Sequence, residues 1–165
     1  MTPTTALGRG ARRALVALLA LATPATADRF ADHPVPLEAG PFVLPDFDGA
    51  QADWRDYRTR IGDAAREGVT FAGRWTLLQV GCGTGCTWGV AIDLSDGSIL
   101  PLPISGEEYQ YVELFAEPTS NLLKVTWTEG YPPDGRCMIG EYLLEGEAFR
   151  ELSVVEHPVY EDCLR

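Results

Sequence analysis

Trp75-Thr76-Leu77-Leu78-Gln79-Val80-Gly81-Cys82-Gly83-Thr84-Gly85-Cys86-Thr87-Trp88-Gly89-Val90-Ala91-Ile92-Asp93 reads as two apolar runs joined by a glycine-rich turn with a cysteine at each end. Runs of this length, rich in β-branched and aromatic residues and bounded by turn residues, are strand signals. With Gly83, Thr84 and Gly85 as a three-residue hairpin loop, Cys82 and Cys86 face each other across the strands. Facing Cα atoms about 4.5–5.5 Å apart suit a disulfide. A strand–turn–strand unit therefore anchors the reading, and the rest of the chain extends it.

Downstream the pattern repeats. Ser95-Asp96-Gly97-Ser98 is a turn before Ile99–Leu102, and further strands read at Tyr109–Phe115, Leu122–Thr128, Cys137–Leu144 and Phe149–Val155. Leu123, Val125 and Trp127 alternate onto one face. Leu77-Leu78-Gln79-Val80 is echoed by Leu122-Leu123-Lys124-Val125, and Cys86-Thr87-Trp88-Gly89 by Cys137-Met138-Ile139-Gly140. Each unit then runs to an acidic-Gly turn, Asp96-Gly97 or Glu145-Gly146. The echo predicts two three-stranded meanders, too few to close a propeller.

Upstream, Asp48 opens a helical stripe of Ala50, Trp54, Tyr57, Ile61 and Ala64 at 3.6-residue spacing, with Gly68 as its stop. Arg55, Arg58 and Arg66 fall off the stripe, on a solvated face. Residues 28–47 carry Pro34, Pro36, Pro41 and Pro45, which excludes a regular helix or central strand and predicts an extended lead-in lying across the domain. The fold class expected is α+β: a mainly antiparallel sheet of two meanders, with one N-terminal amphipathic helix, in a single domain over 48–165.

Residues 1–27 read as an export signal peptide. Arg9, Arg12 and Arg13 precede the apolar run Ala14 to Ala22, and Ala25-Thr26-Ala27 is a small-x-small cleavage site. The run is far below the roughly 20 residues a membrane-spanning helix needs, so no stable membrane anchor is expected. The Arg12-Arg13 pair leaves the general and twin-arginine routes both open. Cleavage after Ala27 leaves 138 residues, with 10 basic side chains against 24 acidic ones and a formal charge of −14. That charge excludes nucleic acid as a partner, since a phosphate backbone needs a basic stripe. It favours steering of a cationic envelope protein. In a periplasmic or secreted setting the even count of cysteines implies two disulfides. Three pairings are possible, and Cys82–Cys86 with Cys137–Cys163 is preferred.

Phe71-Ala72-Gly73-Arg74-Trp75, Gly81-Cys82-Gly83-Thr84-Gly85-Cys86, Ile92-Asp93 and Asp96-Gly97 resemble a family of uncharacterised exported bacterial proteins, over roughly residues 54–103. That family's pattern implies His more often than Arg at position 74, which counts against proton transfer there. A cysteine-closed loop in an acidic exported domain also resembles the periplasmic lysozyme inhibitors. The likeness implies a loop presented to an enzyme cleft, although Cys82–Cys86 encloses only Gly83, Thr84 and Gly85.

Candidate chemistry is sparse. His33 and His157 each adjoin a Pro and lie far in sequence from Cys82 and Cys86, so neither a metal site nor any other cofactor is implied. Paired cysteines offer no thiolate nucleophile. Asp93 closes an apolar strand and reads as a binding acid or a turn cap. Gly83 and Gly85 read as an anion-binding turn or as glycines needed for positive φ. Trp88 reads as an interface anchor or, with Val90 and Ile92, as core. With Arg74 and Thr84 these form the candidate binding set. The expected function is non-enzymatic macromolecule binding in the cell envelope, with a lysozyme inhibitor as its narrower form. A small carboxylate-dependent hydrolase is the alternative, although abundant acids name no pair.

Overall fold

A computed structural model describes residues 28–130 and 133–164; the export segment read at 1–27 lies outside the described residues. Seven antiparallel strands form one sheet: β1 (Trp75–Gly81), β2 (Cys86–Asp93), β3 (Ile99–Pro101), β4 (Gly106–Phe115), β5 (Leu122–Glu129), β6 (Arg136–Glu145) and β7 (Ala148–His157). Among the described residues one α-helix, α1 (Arg58–Glu67), precedes them. The α+β reading stands, and each of the seven strands overlaps a run read from the sequence, with β4 beginning at Gly106, ahead of the expected Tyr109.

The order across the sheet is β1-β2-β4-β5-β6-β7, with β3 paired to β2 outside that path. The second edge of β2 is thus divided. Val90–Ile92 pair with β3, while Cys86 and Thr87 pair with β4. The three residues of β3 are too few to cover an eight-residue strand. The ten-residue β4 takes the remainder and joins the two halves into one sheet.

The two faces of the sheet carry separate cores. Ile61, Ala64 and Ala65 of α1 pack on Val90, Ile92 and Leu94, with Trp54 and Trp88 at the margin. The other face gathers Phe71, Trp75, Ala91, Leu102, Leu123, Val125, Trp127, Tyr142 and Leu144. Phe71, ahead of β1, stacks on Phe149 of β7 with ring centroids 6.2 Å apart. The first and last strands of the sheet are therefore brought round the same core, and this face is concave.

The helical segment differs from its expected form at the start. Asp48 does not cap it. Asp46 Oδ1 accepts from the Asp48 N–H at 3.2 Å, and the Asp46 carbonyl accepts from Gln51 N–H at 2.8 Å. A side-chain-supported turn therefore precedes the helix, and Asp48 instead faces Arg55 at 3.3 Å. Residues Ala52–Tyr57 are 3₁₀, and only Arg58–Glu67 is α-helical, ending at Gly68 with φ +95°. Ala50 and Tyr57 of the expected stripe are exposed. Ala50 sits in the turn organised by Asp46, ahead of the helical segment, and Tyr57 ends the tighter 3₁₀ stretch, which does not keep the 3.6-residue period.

The lead-in does lie across the domain. Val35 N–H donates to Thr119 O, Glu38 N–H to Gly73 O and Val43 N–H to Leu94 O, each at 2.9 Å. This contact explains the Phe71–Trp75 motif. Phe71 and Trp75 exchange two backbone hydrogen bonds of 2.9 Å around a turn in which Ala72 (φ +47°) and Gly73 (φ +81°) are left-handed. A Cβ on Gly73 would meet the Pro36 carbonyl oxygen at 2.3 Å, so no other residue lets the lead-in approach.

Both preferred disulfides are present. Cys82–Cys86 has Cα atoms 5.2 Å apart and closes the β1–β2 turn; Cys137–Cys163, at 5.5 Å, ties the C-terminal 3₁₀ segment Tyr160–Leu164 to β6. Among the described residues no helix is long and apolar enough to cross a membrane.

Candidate functional site

The six residues singled out from sequence are divided between the two ends of the β1–β2 hairpin. At one end Arg74 Nε donates to Asp93 Oδ2 at 2.8 Å. The Asp93 side chain is only 2% exposed, and its Oδ1 accepts from Ser95 N–H at 2.8 Å and Ser95 Oγ–H at 2.6 Å. Arg74 also faces Glu38 at 3.5 Å. Asp93 thus commits Oδ1 to the turn that follows β2 and Oδ2 to Arg74, and Arg74 lies between two carboxylates.

At the other end, Cys82 N–H donates to Cys86 O at 3.0 Å and the turn is exposed from Gly81 to Thr84. Gly83 and Gly85 both have positive φ, of +146° and +72°. The Gly85 carbonyl accepts from Tyr111 N–H at 2.8 Å. Trp88 is half-buried under the helical segment, 4.5 Å from the Tyr57 ring and 6.0 Å from Trp54, and it borders a groove of about 510 Å³ between β1 and that segment. Trp88 shares this face with Val90 and Ile92.

A second groove, of about 460 Å³, opens on the concave face and contains none of the six. Its walls include Tyr109, Trp127, Glu129, Tyr142, Phe149 and Glu151. β5 supplies Trp127 and Glu129, two apart and therefore on the same face. Trp127 pairs directly with Met138 and Leu123 with Tyr142, so β6 sends Tyr142 to that face too. On β7 a register shift follows Glu141: Glu141 pairs with Ser153 but Tyr142 with Glu151. The extra residue places Glu151 and Val154 together on the groove side, where strict alternation would separate them.

Close packing shapes this wall. Tyr109 meets Trp127 edge-on at 5.9 Å. A Cβ on Gly140 would lie 2.7 Å from the Tyr142 ring and 2.9 Å from the Trp127 ring, so glycine there lets the two rings close over the strand.

The polar groups have unequal freedom. Glu129 accepts from the Trp127 indole N–H at 3.3 Å and pairs with Arg136. Glu151 makes no ion pair among the described residues. Burial, with Glu151 and Tyr109 beside it, pushes the Tyr142 phenol up to about 12. Tyr142 therefore stays a neutral O–H at physiological pH, able to donate to a carboxylate or an incoming oxygen. The arrangement is an aromatic-walled groove with one carboxylate already engaged and one still open. Such a wall suits a cation, which gains from both the ring faces and the carboxylate.

Sequence reasoning missed Glu129, Glu151, Tyr109 and Tyr142, and took Trp127 mainly as core. The i, i+2 relation of Trp127 and Glu129 was a usable signal. The bulge that admits Glu151 was not. Among the described residues no group of three His, Cys, Asp or Glu is placed to hold a metal ion. No protein-family model matches the chain, and no curated protein and no solved structure matches it.

Proposed function

We propose that this protein is an exported, non-enzymatic binding domain that docks a cationic macromolecule of the cell envelope, taking a Lys or Arg side chain into the concave groove. The observation that carries the reading is Glu151, without an ion-pair partner among the described residues, beside a protonated Tyr142 in a wall of aromatic rings. The formal charge of −14 on residues 28–165 supports it by drawing a basic partner towards the domain. Two disulfides fit an oxidising compartment, and the likeness to exported bacterial proteins points the same way.

Calorimetric titration with an arginine-rich peptide tests the proposal. Glu151→Gln should weaken binding about tenfold, as expected when one charged hydrogen-bond partner is removed. Equal affinity of the variant and the natural chain would sink the groove as the docking element. A lysozyme panel tests the narrower inhibitor reading at the Cys82–Cys86 turn. Thr84→Ala is the loop variant to use there, because Gly83 sits at φ +146° and any replacement is strained.

One observation favours a second reading: Glu129 and Glu151 line the same groove, as a carboxylate-dependent hydrolase of glycans requires. Turnover of a glycan panel that is abolished in both Glu129→Gln and Glu151→Gln would replace the binding reading.

A further inference from the structure

Glu141 lies on the convex side of β6 and is 6% exposed. Its Oε1 is 2.9 Å from Lys124 Nζ, its direct cross-strand partner on β5. Its Oε2 accepts from Ser153 Oγ–H at 3.3 Å and from the backbone N–H of Asp28 at 3.4 Å. The segment after Asp28 covers this cluster. Phe30 places its ring 5.8 Å from Lys124 Nζ, and His33 Nε2 is 3.2 Å from the Asp28 carboxylate.

The charges here do not balance. Two carboxylates, Asp28 and Glu141, lie in this cluster with a single permanent cation, Lys124, which pairs with Glu141, while His33 faces Asp28. A buried carboxylate is strongly favoured by a second hydrogen-bonded cation. The atom already aimed at Glu141 is the nitrogen that cleavage after Ala27 would convert from an amide into an ammonium.

We infer that the Ala27–Asp28 bond is a processing site whose product is read by the fold: the freed α-ammonium of Asp28 pairs with Glu141 and completes a Lys124–Glu141–N-terminus cluster. Water adds across the amide bond under an export peptidase. Ala27 leaves as a carboxylate carrying the water oxygen, and Asp28 keeps the nitrogen, which takes up both protons of the water to become an ammonium. The inference rests on reading residues 1–27 as a cleaved segment, and it is independent of the groove. Its consequence is that the mature chain is more stable than any form carrying extra residues ahead of Asp28.

The full chain, produced in a bacterium with its own N-terminal segment, tests this in two separable steps. Intact mass should show a chain beginning at Asp28, and any other N-terminus overturns the site. On the processed protein, acylation of the α-amine by an N-hydroxysuccinimide ester, read at the N-terminal peptide, should run about tenfold slower than in Glu141→Gln, the effect of one charge-assisted hydrogen bond. Acylation should lower the urea midpoint of the natural chain and leave that of Glu141→Gln unchanged. Equal acylation rates with additive effects would overturn the docking while leaving the processing intact. Should Glu141→Gln not fold, a Gly inserted between Ala27 and Asp28 moves the amine while keeping Glu141. A midpoint no lower than that of the natural chain would then refute the inference.

Discussion

Asp93 and Arg74 form an ion pair in which each holds the other for a different reason. Asp93 needs Arg74 because its carboxylate is buried, whereas Arg74, partly exposed, also has Glu38. Arg74→Ala leaves a buried carboxylate without its cation and should cost about 3 kcal/mol, the range for breaking a buried pair. Urea denaturation of the variant measures it. Ala72 tells the opposite story: at φ +47° it carries strain that glycine does not, so Ala72→Gly should leave stability unchanged or raise it in the same assay. Tyr142 sets a pH dependence. Its phenol ionises near 10 when unfolded and at about 12 when folded. Its contribution is thus intact below pH 10 and is lost as pH rises towards 12, because only the unfolded chain releases the proton. Tyr142→Phe should flatten that alkaline decline, as a thermal melt series from pH 9 to 12 would show. Asp93 was recognisable from sequence as an unusual acid, but whether it binds a partner or caps the turn depended on Ser95 and Arg74 meeting it in space.

Among the elements, the strands were the most legible, because period-two alternation and the turn residues between them are local signals. Leu123, Val125 and Trp127 are all buried on the concave face, as their spacing requires. The helix was legible as an element and misread at its N-terminus, since a 3.6-residue stripe cannot show that Asp46 rather than Asp48 organises the turn or that the first turns tighten to 3₁₀. β4 illustrates a third case. Its register shifts between Gln110 and Glu113, where Tyr111 takes φ +52°, and such a bulge leaves no periodic trace. The two disulfides should differ in effect. Chain entropy gives about 3.5 kcal/mol for the Cys137–Cys163 loop and about 2 kcal/mol for Cys82–Cys86. Replacing both members of a pair by Ser should therefore lower the thermal midpoint more for the C-terminal bridge. The same midpoint for the two variants would argue that strand pairing, not chain closure, holds the C-terminus.

For the molecule as a whole, the acidity of the chain and the shape of the sheet act together. Under the proposed binding function, long-range steering sets how often a basic partner arrives and is screened by salt, whereas the groove sets how long the partner stays. Raising ionic strength from 0.05 to about 0.3 M should thus slow association of an arginine-rich peptide while leaving dissociation nearly unchanged. Stopped-flow mixing separates the two rates, and a salt-dependent dissociation rate would place the main contacts at an exposed rim instead of the groove. Composition and the strand and turn pattern were determined by the sequence alone, because each rests on local spacing or on charge that no fold can remove. The cysteine pairing stayed one preference among three until the structure brought Cys137 and Cys163 together. Which side chains share the groove was decided only by the tertiary structure. Glu129, Tyr142 and Glu151 come from three different strands, and a one-residue bulge in β7 selects which face Glu151 occupies. Registers between strands and the curl of the sheet are non-local, so no window along the chain contains them.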